Sequence, residues 1–137
     1  MSDEPIASPP PAEAETYERR GVENPRIIDL LTTDTERGEV VLAILEGRPW
    51  RSVPEQMQHL EDKLNSYFGY VLDGHLGHQY PDYAGLPVLI RLDCVEPPGE
   101  EEEPYLRAVR RFCADNGLRW FVRVVDDPFV HHVPWEG

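Results

Sequence analysis

The apolar spacing over residues 54–81 constrains the fold more than any other feature of the chain. Large apolar side chains recur there at steps of three and four, which is the spacing of one face of an α-helix. These residues are Met57, Leu60, Leu64, Tyr67, Phe68, Val71 and Leu72. The spacing therefore predicts a long helix with one face in the core. Gly74, Gly77 and Pro81 follow, and they predict that the helix gives way to a loop.

Four other segments have the composition or the alternation of β-strands. Residues 26–31 and 39–45 are short runs rich in Ile, Val and Leu, and the polar stretch between them predicts a β-hairpin. Residues 88–95 alternate with period two, and residues 120–125 form a last apolar run. These segments predict two strands before the long helix and two after it.

Capping signals mark the helix ends. Ser52 is the predicted N-cap of the long helix. A second amphipathic helix is predicted after the acidic residues 100–103, because carboxylates suit the positive end of a helix. Asn116 and Gly117 predict that this helix ends in a left-handed C-cap.

The order strand, strand, helix, strand, helix, strand predicts an α/β (α+β) fold. The simplest arrangement is a two-layer ββαβαβ sandwich, in which a four-stranded mixed sheet carries both helices on one face. The other face of the sheet then lacks a helical cover. Since a partly apolar face is normally occupied, either the chain's own tail, residues 129–135, or a second subunit in a homodimer is expected to cover it.

Composition divides the chain into three parts. Residues 1–24 are acidic and rich in proline, so they are predicted to form a flexible arm. Residues 25–127 are predicted to form a single α/β domain, and residues 128–137 a C-terminal tail.

The charge excludes some classes of function. Thirteen basic and 26 acidic residues give a net charge of −13, which disfavours nucleic acids and anionic membranes as partners. Cys94 and Cys113 lie in apolar segments and are predicted to be buried free thiols, as in a reducing compartment. With neither a secretory signal nor a membrane span predicted, we expect a cytoplasmic protein.

Short motifs along the chain resemble those of one known family. They are residues 21–25 with 28–30, residues 48–50, Leu60, Leu64, Asn65 and Tyr67, residues 72–74 with 80–81, and residues 92–94 with 97–98. The family consists of small uncharacterised bacterial proteins known only as a domain of unknown function. The resemblance covers about residues 21–125. It implies a fold and transfers no activity, since no catalytic residues are established for the family.

One hypothesis for the chemistry is a metal site in the loop after the long helix. Asp73, His75 and His78 carry side chains that bind zinc and other transition metals, and His131 and His132 could join them. A helix C-terminus, where a protonated histidine suits the negative dipole, explains the same residues without a metal. A metal-dependent enzyme or metal-binding protein is therefore the alternative hypothesis and not the leading one.

A carboxylate-based nuclease is a weaker hypothesis. It would use Asp29, Asp73 and Asp93 to hold a divalent cation. Pairing of Asp93 with Arg91 or Arg123 is the plainer interpretation. No catalytic residue, metal or other cofactor is predicted.

The leading hypothesis is a non-enzymatic protein-interaction module that self-associates or binds a protein partner. Its docking surface would be the uncovered sheet face or the loop over residues 73–83. The candidate contact residues are Leu89, Arg91, Phe121, Arg123, Tyr80 and Tyr83.

Overall fold

The computed structural model describes residues 20–129. The chain forms a four-stranded sheet in the order β1-β2-β3-β4, in which β1 and β2 are antiparallel and the other pairs are parallel. The strands are β1 (Leu30–Asp34), β2 (Glu39–Glu46), β3 (Val88–Cys94) and β4 (Arg119–Val124). The helices are α1 (Gln56–Leu72), α2 (His75–Gln79) and α3 (Glu103–Asp115), with a 3-10 turn at Pro81–Tyr83.

Both long helices pack on the same face of the sheet. Crossovers between parallel strands are nearly always right-handed, so two crossovers in one direction along a sheet place their helices together. The core accordingly uses the even-numbered residues of the two central strands. Helix residues Leu60, Leu64 and Tyr67 of α1 and Leu106, Val109 and Cys113 of α3 pack on them. The predicted α+β class, with a mixed sheet and helices on one face, is confirmed.

The segment after α1 is more helical than predicted. Instead of a loop, it forms α2 and the 3-10 turn, and only Gly74, with φ of 89°, interrupts the helical backbone between α1 and α2. The buried side chain of Leu76 joins the core and holds α2 in place. The prediction of Ser52 as an N-cap is wrong: Glu55 occupies that position, without a side-chain cap.

The first strand begins later than predicted, at Leu30. The Asp29 carboxylate accepts a hydrogen bond from Leu45 N at 3.0 Å. This side chain takes the place of a β1 backbone carbonyl as the partner of Leu45 N. Residues 26–29 therefore belong to a connecting segment that the apolar run alone could not distinguish from a strand.

The folded region also begins before the predicted boundary at residue 25. Val22 is fully buried in the core, and its backbone N–H donates to Leu45 O at 3.0 Å. Residues 1–19 and 130–137 lie outside the described part of the chain, and so do the predictions of a flexible arm and of a tail that packs on the sheet.

Candidate functional site

Asp29, one of the three carboxylates considered for a cation site, lies in a buried ion pair. Lys63 Nζ is 2.8 Å from Asp29 Oδ1, and both side chains have no exposed area. Lys63 also donates to Ile27 O at 3.0 Å and to Asn24 O. The hydroxyl of Tyr67 donates to Ala43 O at 2.6 Å and accepts from Asp29 N at 2.8 Å. This network attaches the N-terminal segment to α1 and β2, so its role is structural.

Burial sets the ionisation of this network. It lowers the pKa of the Lys63 ammonium, although the hydrogen bond that the ammonium donates to Asp29 acts in the opposite direction. It raises the pKa of Tyr67 well above its ordinary value. The Tyr67 hydroxyl is therefore protonated near neutral pH.

Asp93 lies on the opposite face of the sheet and is paired with two arginines. Its carboxylate accepts hydrogen bonds from Arg91 at 2.8 and 3.1 Å and from Arg123 at 3.2 and 2.8 Å. Burial acts to raise the pKa of Asp93, but the hydrogen bonds from Arg123 and Arg91 outweigh it and the pKa is lowered. Both pairings considered for Asp93 are present together. The carboxylates of Asp29, Asp73 and Asp93 do not converge on a common cation position.

A cleft of about 690 Å³ lies between the segment after residue 25, α1 and α2. Asp73, His75 and Tyr80 line it, but His78 does not. Within residues 20–129 no three His, Cys, Asp or Glu side chains are placed to hold a metal ion, and His131 and His132 lie outside that range. The metal hypothesis stays a prediction.

The two aromatic candidates of the same segment are held by local packing. Tyr80 and Tyr83 stack with ring centroids 5.4 Å apart. Tyr80 is exposed, whereas Tyr83 packs against the core. Tyr80 is therefore the more accessible of the two, and Tyr83 is half-buried.

The two cysteines have the predicted character. Both are free and buried. Burial raises the pKa of Cys94 to about 12 and that of Cys113 to about 11. Each thiol is therefore protonated at neutral pH and is a poor nucleophile.

The face of the sheet opposite the helices, here called the helix-free face, is less open than predicted. Val41, Ala43 and Leu45 of β2 point to it, and these residues are at most 4% exposed. Leu89 is 8% exposed, so it is not an accessible contact residue. Among the described residues of this face, the exposed large apolar group is Phe121, on the outer strand β4.

That group, Phe121, lies on an edge strand. Phe121 and Val124 are 51% and 48% exposed, the highest values among the large apolar side chains of the described residues. They point to opposite faces, since successive strand residues alternate. In the described chain β4 pairs with β3 alone. A groove of about 340 Å³ runs beside the strand, between Leu106 and Arg110 of α3 and residues 120–122. We call this strand and groove the β4 edge.

Arginines are concentrated near the β4 edge, between the acidic runs 100–103 and 126–127. Residues 104–125 contain five arginines and one aspartate, a net charge of +4 in a chain of net charge −13. Two of these arginines are paired within the sheet, Arg119 with Glu39 at 2.8 Å and Arg123 with Asp93. Arg107 pairs with Glu103 on α3 at 3.6 Å, and Arg110 and Arg111 are exposed on the same helix.

Sequence reasoning missed Lys63 as a core residue. A usable signal was present, because Lys63 lies three residues after Leu60 and four before Tyr67, within the apolar face of α1. A lysine at such a position indicates a buried acidic partner. Phe121 and Arg123 were identified from the sequence, but Val124 and the groove beside α3 were not.

The fold and the site together define a small α+β domain in which the edge strand β4 exposes Phe121 and Val124. The chain belongs to a family of unknown function, DUF6572, whose model matches residues 20–126. This confirms the resemblance to a domain family without an assigned function. No curated protein and no solved structure matches the chain. Among the described residues, the helices are too short or too polar to traverse a bilayer.

Proposed function

We propose that this protein is a protein-interaction module that binds an extended, acidic segment of a partner protein along the β4 edge. The observation that carries the proposal is the exposure of Phe121 and Val124 on opposite faces of one edge strand. A ligand resting on one face of the sheet would cover only one of them. A strand added beside β4 would place neighbouring side chains against both.

The backbone supports strand addition. An edge strand presents a row of unpaired N–H and C=O groups, which is a template for pairing with another chain. β4 is six residues long, which is enough for a continuous ladder with an added segment. The groove beside Leu106 and Arg110 offers space for side chains of that segment on the helix side.

Charge favours an acidic partner over a second copy of this chain. In an antiparallel pair of two β4 strands centred on Phe121, Arg119 of each copy would lie opposite Arg123 of the other. Like charges placed directly opposite each other destabilise a sheet. Two chains of net charge −13 also repel each other at low ionic strength. An acidic segment gains from the exposed arginines of α3 instead. Within this proposal, the free thiols of Cys94 and Cys113 support a cytoplasmic location.

The test uses a synthetic eight-residue peptide of alternating Val and Glu, with the corresponding Val and Lys peptide as its control. Backbone amide chemical shifts of the full chain are followed during titration. We expect the acidic peptide to shift the amides of β4 and the basic peptide to leave them unchanged. Phe121→Asp should abolish the shifts. Phe112→Asp, an equally polar change at a 40% exposed residue of α3, should preserve them.

Equal shifts with both peptides, or shifts confined to residues outside the β4 edge, would contradict the proposal. Light scattering tests the remaining alternative. A dimer that Phe121→Asp converts to a monomer would replace the acidic partner with a second copy of the chain.

A further inference from the structure

We infer that two copies of this protein form a two-fold dimer through their helix layers, with α1 of each copy against α3 of the other. The dimer is independent of the binding proposed for the β4 edge, because the groove of that edge lies on the other side of α3. The contact uses the side of α1 and α3 that points away from the sheet, here called the outer helix surface. It includes six exposed residues, Glu61, Asp62, Leu72, Arg107, Arg111 and Phe112.

The two long helices run side by side in the same direction. Each leads from one strand of the parallel set to the next, so both run opposite to those strands. The rings of Phe68 and Phe112 meet across the seam between α1 and α3, with centroids 4.5 Å apart. Burial, together with the nearby charges of Glu61 and Asp62, raises the pKa of Tyr105 to about 12. Both observations place residues 61 and 62 of α1 at the level of residue 105 of α3.

The outer helix surface has an apolar centre at this seam. Phe112 and Leu72 are 40% and 43% exposed. Phe68, one helical turn before Leu72, is half-buried beside Phe112. An apolar centre surrounded by polar groups is typical of a protein interface. In a dimer, these three side chains would be covered by the same three of the second copy.

The two helices carry opposite charges around this centre. Arg107 and Arg111 each lie two residues from the buried Val109, about half a turn, so they point away from the sheet. Asp62 lies in the same way between two buried leucines of α1, and Glu61 beside it is exposed. α1 contains no arginine, and its single lysine is buried. The outer helix surface is therefore acidic on α1 and basic on α3.

Most of these charges have no partner within the chain. Among residues 20–129, Glu61, Asp62 and Arg111 form no ion pair. Arg107 has the Glu103 carboxylate at 3.6 Å, but an exposed pair of this kind contributes little. Opposite charges left unpaired side by side on one surface are complementary to a rotated copy of that surface.

The direction of the two-fold axis follows from these charges. An axis along the seam exchanges its two sides, so α1 of one copy faces α3 of the other at the same level. Since Phe68 is level with Phe112, Asp62 is level with Leu106, and Arg107 lies about 1.5 Å further along α3. Asp62 of each copy therefore faces Arg107 of the other. An axis across the helices would instead place α1 against α1, acid against acid, which is unfavourable.

The length of the helices limits the size of this interface. α3 has 13 residues and is about 20 Å long, and packed helices are about 10 Å apart. A face of two such helices is at the small end of specific protein interfaces. The net charge of −13 on each copy opposes association, but it is largely screened beyond about 8 Å at physiological salt. We therefore expect a dimer that dissociates on dilution.

The test is the solution mass of the full chain, measured by light scattering over a dilution series at physiological salt. We expect the mass to rise with concentration from 15.8 kDa towards twice that value. Arg107→Glu and Asp62→Arg should each weaken dimerisation by at least about tenfold, because each places like charges opposite each other. An equimolar mixture of the two variants should restore the dimer, since both facing pairs of that heterodimer are again opposite in charge.

Arg110→Glu is the matched control, because it makes the same change on the side of α3 that lines the β4 groove. It should leave the dimer intact. A mass of 15.8 kDa at every concentration would overturn the inference. So would a mixture of Arg107→Glu and Asp62→Arg that stays monomeric, or a dimer that dissociates with Phe121→Asp and not with Arg107→Glu. All of these substitutions are at exposed positions, and circular dichroism checks that each variant is folded.

Discussion

At the scale of single residues, charge pairing decides what the buried polar groups do. Asp29 and Asp93 have the same side chain and the same lack of exposure, yet one meets a lysine and the other two arginines. Glu102 is a third case, because it is only 1% exposed. Its carboxylate accepts hydrogen bonds from Arg51 Nη1 at 2.6 Å and from Gly99 N at 2.7 Å. Each carboxylate is therefore compensated by a cation or by backbone N–H groups next to it.

Replacing Lys63 tests how much the buried ion pair with Asp29 contributes to the free energy of unfolding. Lys63→Met leaves the Asp29 carboxylate buried without its cation, and breaking such a pair costs about 3 to 5 kcal/mol. We expect a loss of that size in the free energy of unfolding, measured by urea titration. Gln58→Met, at an exposed position of the same helix, is the control and should change stability by less than about 0.5 kcal/mol. A loss below about 1 kcal/mol for Lys63→Met would mean that backbone donors alone satisfy Asp29.

At the scale of elements, the helix and strand boundaries follow from local chemistry. The C-terminus of α3 is a clear case. Gly117 adopts φ of 75°, and Leu118 N donates to Cys113 O at 2.8 Å, which closes the last turn. The predicted left-handed C-cap at Asn116 and Gly117 is confirmed. By contrast, α1 begins without a side-chain cap, and its position depends on packing of Leu60 and Leu64.

Gly117→Ala isolates the backbone cost of this cap. No atom lies within 4 Å of a Cβ built at Gly117, so the substitution strains the backbone without a steric clash. We expect a loss of about 1 kcal/mol in unfolding free energy, the cost of a left-handed residue with a side chain. Gly117→Asn should lose less, because asparagine tolerates this conformation better. Equal losses of unfolding free energy for the two variants would show that the left-handed backbone at residue 117 is not the cause.

At the scale of the whole molecule, the charge distribution is uneven. The chain has a net charge of −13, yet residues 104–125 carry +4. The structure concentrates that positive segment on one side, on α3 and β4. The net charge of the whole chain is therefore a poor guide to the charge of any one surface.

Acid stability also belongs to this scale. The pKa of Asp93 in the folded protein is below its ordinary value of 3.8, because Arg123 and Arg91 outweigh burial. The stabilisation from this carboxylate is fully present above that ordinary value and is lost as the pH falls through the folded pKa. We expect Asp93→Asn to be less stable at pH 7 and to lose less further stability between pH 4 and pH 2, as measured by urea titration.

The matched control for this prediction is Asp82→Asn, which changes an exposed carboxylate of the 3-10 turn. It should follow the unmodified protein across the same pH range. If Asp93→Asn and the unmodified protein lose stability in parallel below pH 4, the pairing of Asp93 with the two arginines does not cause the loss of stability in acid.

The order of the four strands and the two long helices, and the placement of both helices on one face of the sheet, could be predicted from the sequence alone. Period 3.6 identified α1 and α3, and alternation identified β3, because these periods follow from backbone geometry within a few residues. The partners in each ion pair and the exposure of the β4 edge could be identified only from the tertiary structure. Lys63 and Asp29 are 34 residues apart, and Glu39 and Arg119 are 80 apart, so no local pattern joins them. Their pairing depends on strand register and helix placement, which arise only when the core forms.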